Sequence, residues 1–160
     1  MIKKIKGAKE LTRIIVQLKA KGKKIVFTNG CFDLLHYGHV QYLAAAKNKG
    51  DILVVGLNSD ASVKRIKGRR RPLIPEMDRA RIIAALESVD YVVLFNDDTP
   101  LKLIKLIKPD ILIKGADWKK NNIVGSDQVI TGGGRVFTIK IAKGRSTTNL
   151  IKKIVKKFAG

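Results

Sequence analysis

Five short apolar runs rich in Ile, Leu and Val constrain the fold of this 160-residue chain more than any other feature. Runs of this length, bounded by turn residues, are typical of strands that are buried on both faces of a sheet. The runs are Lys24–Thr28, Ile52–Leu57, Tyr91–Phe95, Ile111–Lys114 and Val136–Ile139. They alternate with segments of helical periodicity, so we predict a three-layer α/β fold with a doubly wound parallel sheet of about five strands.

The segments between the runs carry apolar residues three and four positions apart, which predicts helices with one buried face. One exception is 58–72, which is polar and basic and is interpreted as a loop. A second helix is expected to open at His36 and to end near Gly50. The residues expected to face inward are Leu11, Ile14, Ile15 and Leu18 in a helix over 9–21, Ile82, Ile83 and Leu86 in a helix over 75–87, Leu103, Ile104 and Ile107 in a helix starting at Thr99-Pro100, and Leu150, Ile151, Ile154 and Val155 in a helix over 147–158.

Length and composition favour one domain over 1–160, with an N-terminal helix in 1–22, a core over 23–146 and a C-terminal helix in 147–160. No apolar run approaches the roughly 18 residues that cross a bilayer. No signal sequence follows the basic N-terminus. We therefore expect a cytoplasmic protein without a membrane among its partners.

The formal net charge of +20 has two interpretations. It can form a surface for polyanions such as nucleic acid, or it can be a lysine-rich solvated surface that steers anionic nucleotides as a by-product. No stripe of basic and aromatic residues indicates base stacking, which favours the second interpretation. The single cysteine excludes an internal disulfide, and no Cys/His cluster has zinc spacing, so we expect no protein metal site.

The two histidines of the chain, His36 and His39, flank Gly38 where an apolar strand gives way to a helix. Residues i and i+3 share a helix face, so both imidazoles can point the same way. The first-turn N–H groups and the helix dipole favour an anion there, and glycine allows a close approach. This motif predicts a site for a phosphate, in particular one that gains charge during reaction.

Other polar residues follow the predicted strands, where ligands bind in doubly wound sheets. The segments are Asn29–Asp33, Asn58–Asp60, Lys114–Trp118 and Gly144–Thr148. The hydroxyls of Ser146, Thr147 and Thr148 can cap a helix or bind a second phosphate. Asp33 can cap the helix or orient a histidine, and Trp118 can be a structural anchor or a wall for a base or sugar. For Cys31, a small buried residue is favoured over a nucleophile, because no further histidine is present to act as its base.

These motifs together resemble the HxGH nucleotidyltransferase superfamily, in its cytidylyltransferase-like branch. The similarity covers about Lys23 to Ile154. The forms Asn29-Gly30-Cys31-Phe32-Asp33 and Asp98-Thr99-Pro100 are most similar to the branch members that adenylate heptose 1-phosphates. The resemblance implies a Rossmann-like fold and an enzyme that transfers AMP from ATP to a heptose 1-phosphate, releasing pyrophosphate and forming ADP-heptose for lipopolysaccharide.

The resemblance also implies roles for individual residues. His36 and His39 would hold the phosphates and stabilise charge at the attacked phosphorus, and backbone N–H groups near Phe32 would assist them. Mg²⁺ would arrive bound to ATP, with few or no protein ligands. The full set implied to bind nucleotide or phosphate is Asn29, Gly30, Cys31, Phe32, Asp33, Gly38, Lys67, Arg79, Lys114, Gly115, Asp117, Trp118, Ser146, Thr147 and Thr148.

Arg145 departs from the small or apolar residue usual before Ser-Thr-Thr in this branch. A kinase domain fused to many members has no room in this chain. The expected partners are ATP and a small phosphorylated sugar, with a homodimer or larger homo-oligomer allowed. The alternatives are another activity of the branch, such as glycerol-3-phosphate cytidylyl transfer or FMN adenylyl transfer, and more remotely a basic nucleic-acid-binding module.

Overall fold

A five-stranded, wholly parallel sheet forms the centre of the molecule in a computed structural model, which describes residues 2–116, 123–140 and 146–158. The strands are β1 (Ile25–Gly30), β2 (Ile52–Asn58), β3 (Tyr91–Phe95), β4 (Ile111–Gly115) and β5 (Arg135–Ile139). Their order is β3-β2-β1-β4-β5. The predicted Rossmann-like, doubly wound fold is confirmed.

The sheet reverses its winding direction between β1 and β4. On one side β1 pairs in register with β2, from Ile25 opposite Ile52 to Gly30 opposite Leu57. On the other side it pairs with β4, which follows it by more than 80 positions in the chain. Sheets of this kind bind ligands at the place where the winding reverses, and the region beyond the carboxyl ends of β1 and β4 is called the crevice below.

Helices cover both faces of the sheet. They are α1 (Ala8–Ala20), α2 (Tyr37–Lys47), α3 (Asp60–Lys67), α4 (Glu76–Ala84), α5 (Leu101–Ile107), α6 (Ser126–Thr131) and α7 (Thr147–Phe158). A short 3-10 helix, Ile2–Lys4, precedes them. One buried cluster joins α2 and α4 to the sheet, and a second joins α1, α5 and α6 to its other face. These two cores fix the strand ends that carry the polar residues.

The interpretation of 58–72 as a loop is wrong, because Asp60–Lys67 is the helix α3. The Ser59 hydroxyl accepts the N–H of Ser62 and caps this helix. Only Ser62 and Val63 are buried on it. A single inward apolar residue among lysines and arginines produces no detectable periodicity. The short helix α6 was not predicted either.

Three details of the predicted helices also differ. Ile82 is 38% exposed, whereas its neighbour Ile83 is buried as expected. Helix α5 begins at Leu101, so Pro100 takes the N-cap position expected of Thr99, while the predicted inward residues are all buried. Helix α2 ends at Lys47, before the predicted Gly50.

Helix α7 has the predicted position but not the predicted burial. None of its residues is buried, and Ile154 and Val155 are 46% and 56% exposed. The apolar periodicity therefore predicted the position of the helix correctly, but the prediction that its apolar residues are buried was wrong. No helix in the described ranges has the length and apolar character needed to cross a membrane.

Candidate active site

The turn from β1 to α2 brings the two histidines into direct contact. His36 has extended backbone and immediately precedes α2, and its carbonyl accepts the N–H of His39 at 2.8 Å. The two imidazole rings stack, with centroids 3.9 Å apart and planes 17° from parallel. The prediction that both rings share one side of the first turn is confirmed.

Phe32 supports this pair from the β1 side. Its ring lies edge-on to His39, with centroids 5.2 Å apart. Its φ of 43° is in the left-handed region, a strained conformation for an aromatic residue that is typical of functional sites. A Cβ added at Gly30 would lie 3.0 Å from the Phe32 ring. Glycine at that position therefore gives the ring room to contact His39.

His39 is uncharged at neutral pH. Burial, and secondly the neighbouring His36, lower its pKa from 6.5 to about 4. Its Nδ1 atom is buried, as is Oδ1 of Asn29, and neither makes a hydrogen bond within the described residues. A buried polar atom of this kind is stabilised when a ligand supplies the missing partner.

Asp33 takes neither of the two roles considered for it from sequence. Its buried carboxylate pairs with Arg71 and accepts the backbone N–H groups of Leu73, at 2.8 Å, and Ile74, at 3.0 Å. The predictions that Asp33 caps the helix or orients a histidine are therefore both wrong. Asp33 binds the segment after α3 to the β1–α2 turn. The partner Arg71 lies 38 positions away, so no local sequence signal could reveal the pair.

Arg79 is fully buried and joins four parts of the chain. Its guanidinium donates to the carbonyls of Cys31 at 2.6 Å, Asn58 at 2.9 Å and Ile74 at 2.9 Å, and to the carboxylate of Asp60 at 2.7 Å. These contacts tie the ends of β1 and β2 to the start of α3. The phosphate contact implied by the resemblance stays a prediction.

Positive charge converges on the end of β1. Burial raises the pKa of the Cys31 thiol, and the cations Lys67, Arg79, Arg71 and Lys114 oppose that increase. Lys114 also donates to the carbonyl of Asn29 at 3.4 Å. The thiol therefore stays protonated, as expected for a structural cysteine, while the surrounding field favours an anion.

The start of α7 lies next to the histidine turn. The Thr147 hydroxyl donates to the carbonyl of Leu34 at 3.3 Å, two residues before His36. Ser146 caps α7 by accepting the N–H of Asn149 at 3.2 Å, and Thr148 is exposed. The predicted approach of the Ser-Thr-Thr segment to the β1–α2 turn is confirmed through Thr147, and Ser146 has the capping role considered for it. Phosphate binding by the segment stays a prediction.

The remaining predicted residues are placed as follows. Gly38 is buried in the first turn of α2, Lys67 is exposed at the end of α3, and Gly115 ends β4. Asp117, Trp118 and Arg145 lie outside the described residues. Within the described ranges, no three His, Cys, Asp or Glu side chains form a group that could hold a metal ion.

Comparison with known proteins agrees with this geometry. Residues 27–153 match the cytidylyltransferase-like family. The chain is 58% identical over 155 residues to the bifunctional protein HldE of Geobacter metallireducens, and 57% identical over 140 residues to that of Magnetococcus marinus. These matches cover 97% and 88% of this chain but only 32% and 29% of the relatives, so the chain spans about a third of their length.

Two solved structures share the fold. The lipopolysaccharide core biosynthesis protein of Thermoplasma volcanium is 31% identical, with a TM-score of 0.62 over 76% of this chain and 98% of that protein. The pantoate-beta-alanine ligase of Francisella tularensis is 16% identical, with a TM-score of 0.63 over 93% of this chain and 72% of that protein, which supports the fold alone.

The family match extends over a doubly wound sheet with a stacked histidine pair at the carboxyl end of its central strand, and together they indicate the nucleotidyltransferase class. The chain belongs to the cytidylyltransferase-like family of these enzymes.

Proposed function

We propose that this chain transfers AMP from ATP to a heptose 1-phosphate, forming ADP-heptose and releasing pyrophosphate. The observation that carries the proposal is the stacked His36–His39 pair beside the start of α7, where Thr147 contacts the carbonyl of Leu34. Two imidazoles and two helix starts in one crevice suit a chain of phosphates better than a single anion.

In the proposed reaction an oxygen of the sugar phosphate attacks the α-phosphorus of ATP. A new phosphorus–oxygen bond forms there, and the bond to the β-phosphate oxygen breaks, so that pyrophosphate leaves with its electron pair. The attacking phosphate is already ionised at pH 7, so no general base is required. Catalysis then consists of positioning and of stabilising the charge that develops on the phosphoryl oxygens.

His36 and His39 are the proposed catalytic residues in this scheme. His39 is uncharged before the substrate binds. The negative charge of a bound triphosphate would raise its pKa from about 4. The buried Nδ1 atom, which has no hydrogen bond within the described residues, is the proposed partner of a phosphate oxygen. The cations Lys67 and Lys114, which act on the nearby Cys31 thiol, are proposed to neutralise the remaining charge.

Arg79 and Asp33 are proposed as positioning residues. Each is buried and uses its charged group on the protein itself. Arg79 holds the carbonyl of Cys31, so the next residue, Phe32, keeps the left-handed backbone that places its ring against His39. The residues that the resemblance implies for binding therefore have two proposed roles. Some contact the phosphates, whereas others, such as Arg79 and Asp33, hold the backbone of the site in place.

The choice of ATP and a heptose rests on the sequence resemblance. The Asn29–Asp33 and Asp98-Thr99-Pro100 forms are those of the heptose branch, and a relative of known structure is described as a lipopolysaccharide core biosynthesis protein. Mg²⁺ is proposed to enter with ATP, which agrees with the engagement of the Asp33 carboxylate by Arg71 and backbone N–H groups. A cytoplasmic location is proposed because ATP is the donor.

A substrate matrix tests the proposal. Pyrophosphate release is measured for ATP, CTP and GTP, each with heptose 1-phosphate, other sugar 1-phosphates, glycerol 3-phosphate or FMN. We expect release with ATP and heptose 1-phosphate, and its loss in a His36→Asn/His39→Asn variant. Turnover confined to CTP with glycerol 3-phosphate, or to ATP with FMN, would assign a different acceptor to the same site. Tight oligonucleotide binding with no release in any pairing would overturn the enzymatic proposal.

A further inference from the structure

Helix α7 separates apolar and basic side chains onto opposite faces. At 3.6 residues per turn, its apolar residues fall in one arc and its lysines in the other. The apolar face consists of Leu150, Ile151, Ile154, Val155 and Phe158. The basic face consists of Lys152, Lys153, Lys156 and Lys157, and the helix contains no acidic residue.

The apolar face of α7 is open toward the end of the helix. Ile154, Val155 and Phe158 are 46%, 56% and 75% exposed, and Phe158 is the most exposed of the large apolar residues described. In the first turn the Thr147 hydroxyl contacts the carbonyl of Leu34, and the next two apolar residues, Leu150 and Ile151, are half-buried. The rest of the helix therefore presents a contiguous apolar strip with lysines on both of its edges.

The charge of the helix selects the kind of surface that can cover this strip. A second copy of the chain would bring a second set of four lysines beside the first, with no carboxylate on either helix to pair with them. A nucleic acid would match the lysines but leave the apolar side chains in water. An anionic lipid surface matches both faces, since acyl chains take the apolar residues and headgroups take the ammonium groups.

We propose that α7 docks this protein on the surface of a membrane that contains anionic lipids. The helix lies along the headgroup boundary with its apolar face inward, and does not cross the bilayer. The sequence-based expectation of no membrane partner considered only spanning segments, which the described helices lack. A helix that lies on the membrane requires amphipathicity and positive charge rather than length.

Docking through α7 affects the position of the candidate active site but does not depend on the reaction that occurs there. The same helix begins at Ser146 and Thr147, beside the histidine turn. Docking of the helix therefore fixes the position of this start relative to the membrane. The proposal concerns the exposed half of α7 and stands independently of which sugar phosphate the enzyme uses.

The test is co-sedimentation of the full chain with vesicles. Binding is compared between vesicles of phosphatidylcholine alone and vesicles that contain equal parts of phosphatidylcholine and phosphatidylglycerol. We expect binding to the anionic vesicles only. The variant Ile154→Ser/Val155→Ser/Phe158→Ser keeps the charge and removes the apolar face, and it should bind about 10-fold more weakly or worse.

Matched control variants test whether binding depends on the two faces of α7 or on the hydrophobicity and charge of the whole surface. Val16→Ser/Leu106→Ser/Ile130→Ser removes three equally exposed apolar residues on other helices, and it should bind like the unaltered protein. Glutamine at Lys152, Lys153, Lys156 and Lys157 should reduce binding by at least about 10-fold, whereas glutamine at the exposed Lys9, Lys21, Lys23 and Lys105 should reduce it far less.

Four results would overturn the proposal. They are unchanged binding by the α7 serine variant, equal losses in the two lysine variants, equal binding to neutral vesicles, and no binding to either kind of vesicle. Sedimentation equilibrium supplies an independent readout, because a dimer that the α7 serine variant abolishes would assign the face to a second copy. Circular dichroism checks that each variant keeps the helical content of the unaltered protein.

Discussion

The histidine pair shows how single residues set the electrostatics of the crevice. Burial, with the stacked His36 beside it, holds the pKa of His39 near 4, and the ring is neutral until an anion arrives. A neutral ring costs less to bury than an imidazolium and is ready to respond to negative charge. The His39 imidazole therefore carries little charge of its own before an anion binds.

Replacing His39 by alanine should lower kcat by about 10²–10³-fold, the scale of one lost electrostatic donor. The fold should persist, because His39 lies in the first turn of α2 and the cores lie beneath the sheet faces. Steady-state pyrophosphate release measures the effect, with thermal unfolding as the check on folding. Near-normal turnover in this variant would contradict the assigned role.

The lowered pKa also predicts how stability depends on pH. The folded state holds His39 neutral down to about pH 4, whereas the unfolded chain protonates it near 6.5. The unfolded state therefore binds more protons between these values, and stability falls as the pH decreases from about 6.5 to about 4. Thermal unfolding across this range should show a smaller loss for His39→Asn than for the unaltered protein. Equal slopes in the two proteins would contradict the assignment.

Gly30→Ala tests the support that Phe32 gives to the histidines. The added methyl group would meet the Phe32 ring at 3.0 Å and displace it from His39. We expect a loss of kcat of about 10-fold or more, since a small misplacement of catalytic groups is costly. Gly7→Ala is the matched control, because no atom lies within 4 Å of its added methyl group. Equal activities of the two variants would contradict a positioning role for Phe32.

Elements meet at the crevice through two buried charges. Asp33 attaches the segment after α3 to the β1–α2 turn, and Arg79 attaches α4 to the ends of β1 and β2. Each charge is satisfied by several backbone groups, so removing it strands those groups in the interior. The shape of the crevice therefore depends on contacts between segments that are distant in the chain.

The substitution Arg79→Met should reduce the free energy of unfolding by about 3–5 kcal/mol, since it leaves three carbonyls and the half-buried Asp60 carboxylate without their donor. Arg81→Met on the same helix removes an exposed pair with Asp78 at 3.3 Å and should cost less than about 1 kcal/mol. Urea unfolding measures both. A cost for Arg79→Met no larger than that for Arg81→Met would show that the buried network is not structural.

The sequence predicts elements best where a helix or strand packs along its whole length. All five strands agree because burial on both faces gives a continuous apolar run, and helices such as α1 agree because burial of one face gives a helical period. Helix α3 buries one apolar residue, so its pattern is lost among charges.

The histidine motif and the Ser-Thr-Thr segment could be predicted because each lies within a few consecutive residues. The partners of Asp33 and Arg79 were missed because buried charge pairs are chosen by the fold across tens of residues.

The whole molecule carries a net charge of +20, and part of that charge surrounds the candidate site. Anions are attracted over distances of about 10 Å at 0.1 M salt, and this range shortens as salt increases. Association of a nucleotide therefore benefits from lysines that never touch it. The effect is strongest where several cations face one low-dielectric crevice.

We expect kcat/KM for ATP to fall by about 10-fold or more as sodium chloride increases from low to high concentration. Lys67→Gln should flatten this dependence, because Lys67 belongs to the field at the end of β1. Glutamine at the remote Lys9, Lys21, Lys23 and Lys105 should leave the slope almost unchanged. If the remote variant flattened the dependence more than Lys67→Gln, general surface charge rather than the local field would be responsible.

The pairing of β1 with β4 also orders events during synthesis. The N–H of Ile25 bonds to the carboxylate of Asp110, 85 residues later, so one edge of β1 has no partner until the ribosome has released β4. The half-sheet of β3, β2 and β1 can assemble earlier, with an apolar strand edge open to other chains. The crevice between β1 and β4 is thus among the last features to form, and the candidate site is incomplete in a nascent chain until that edge is closed.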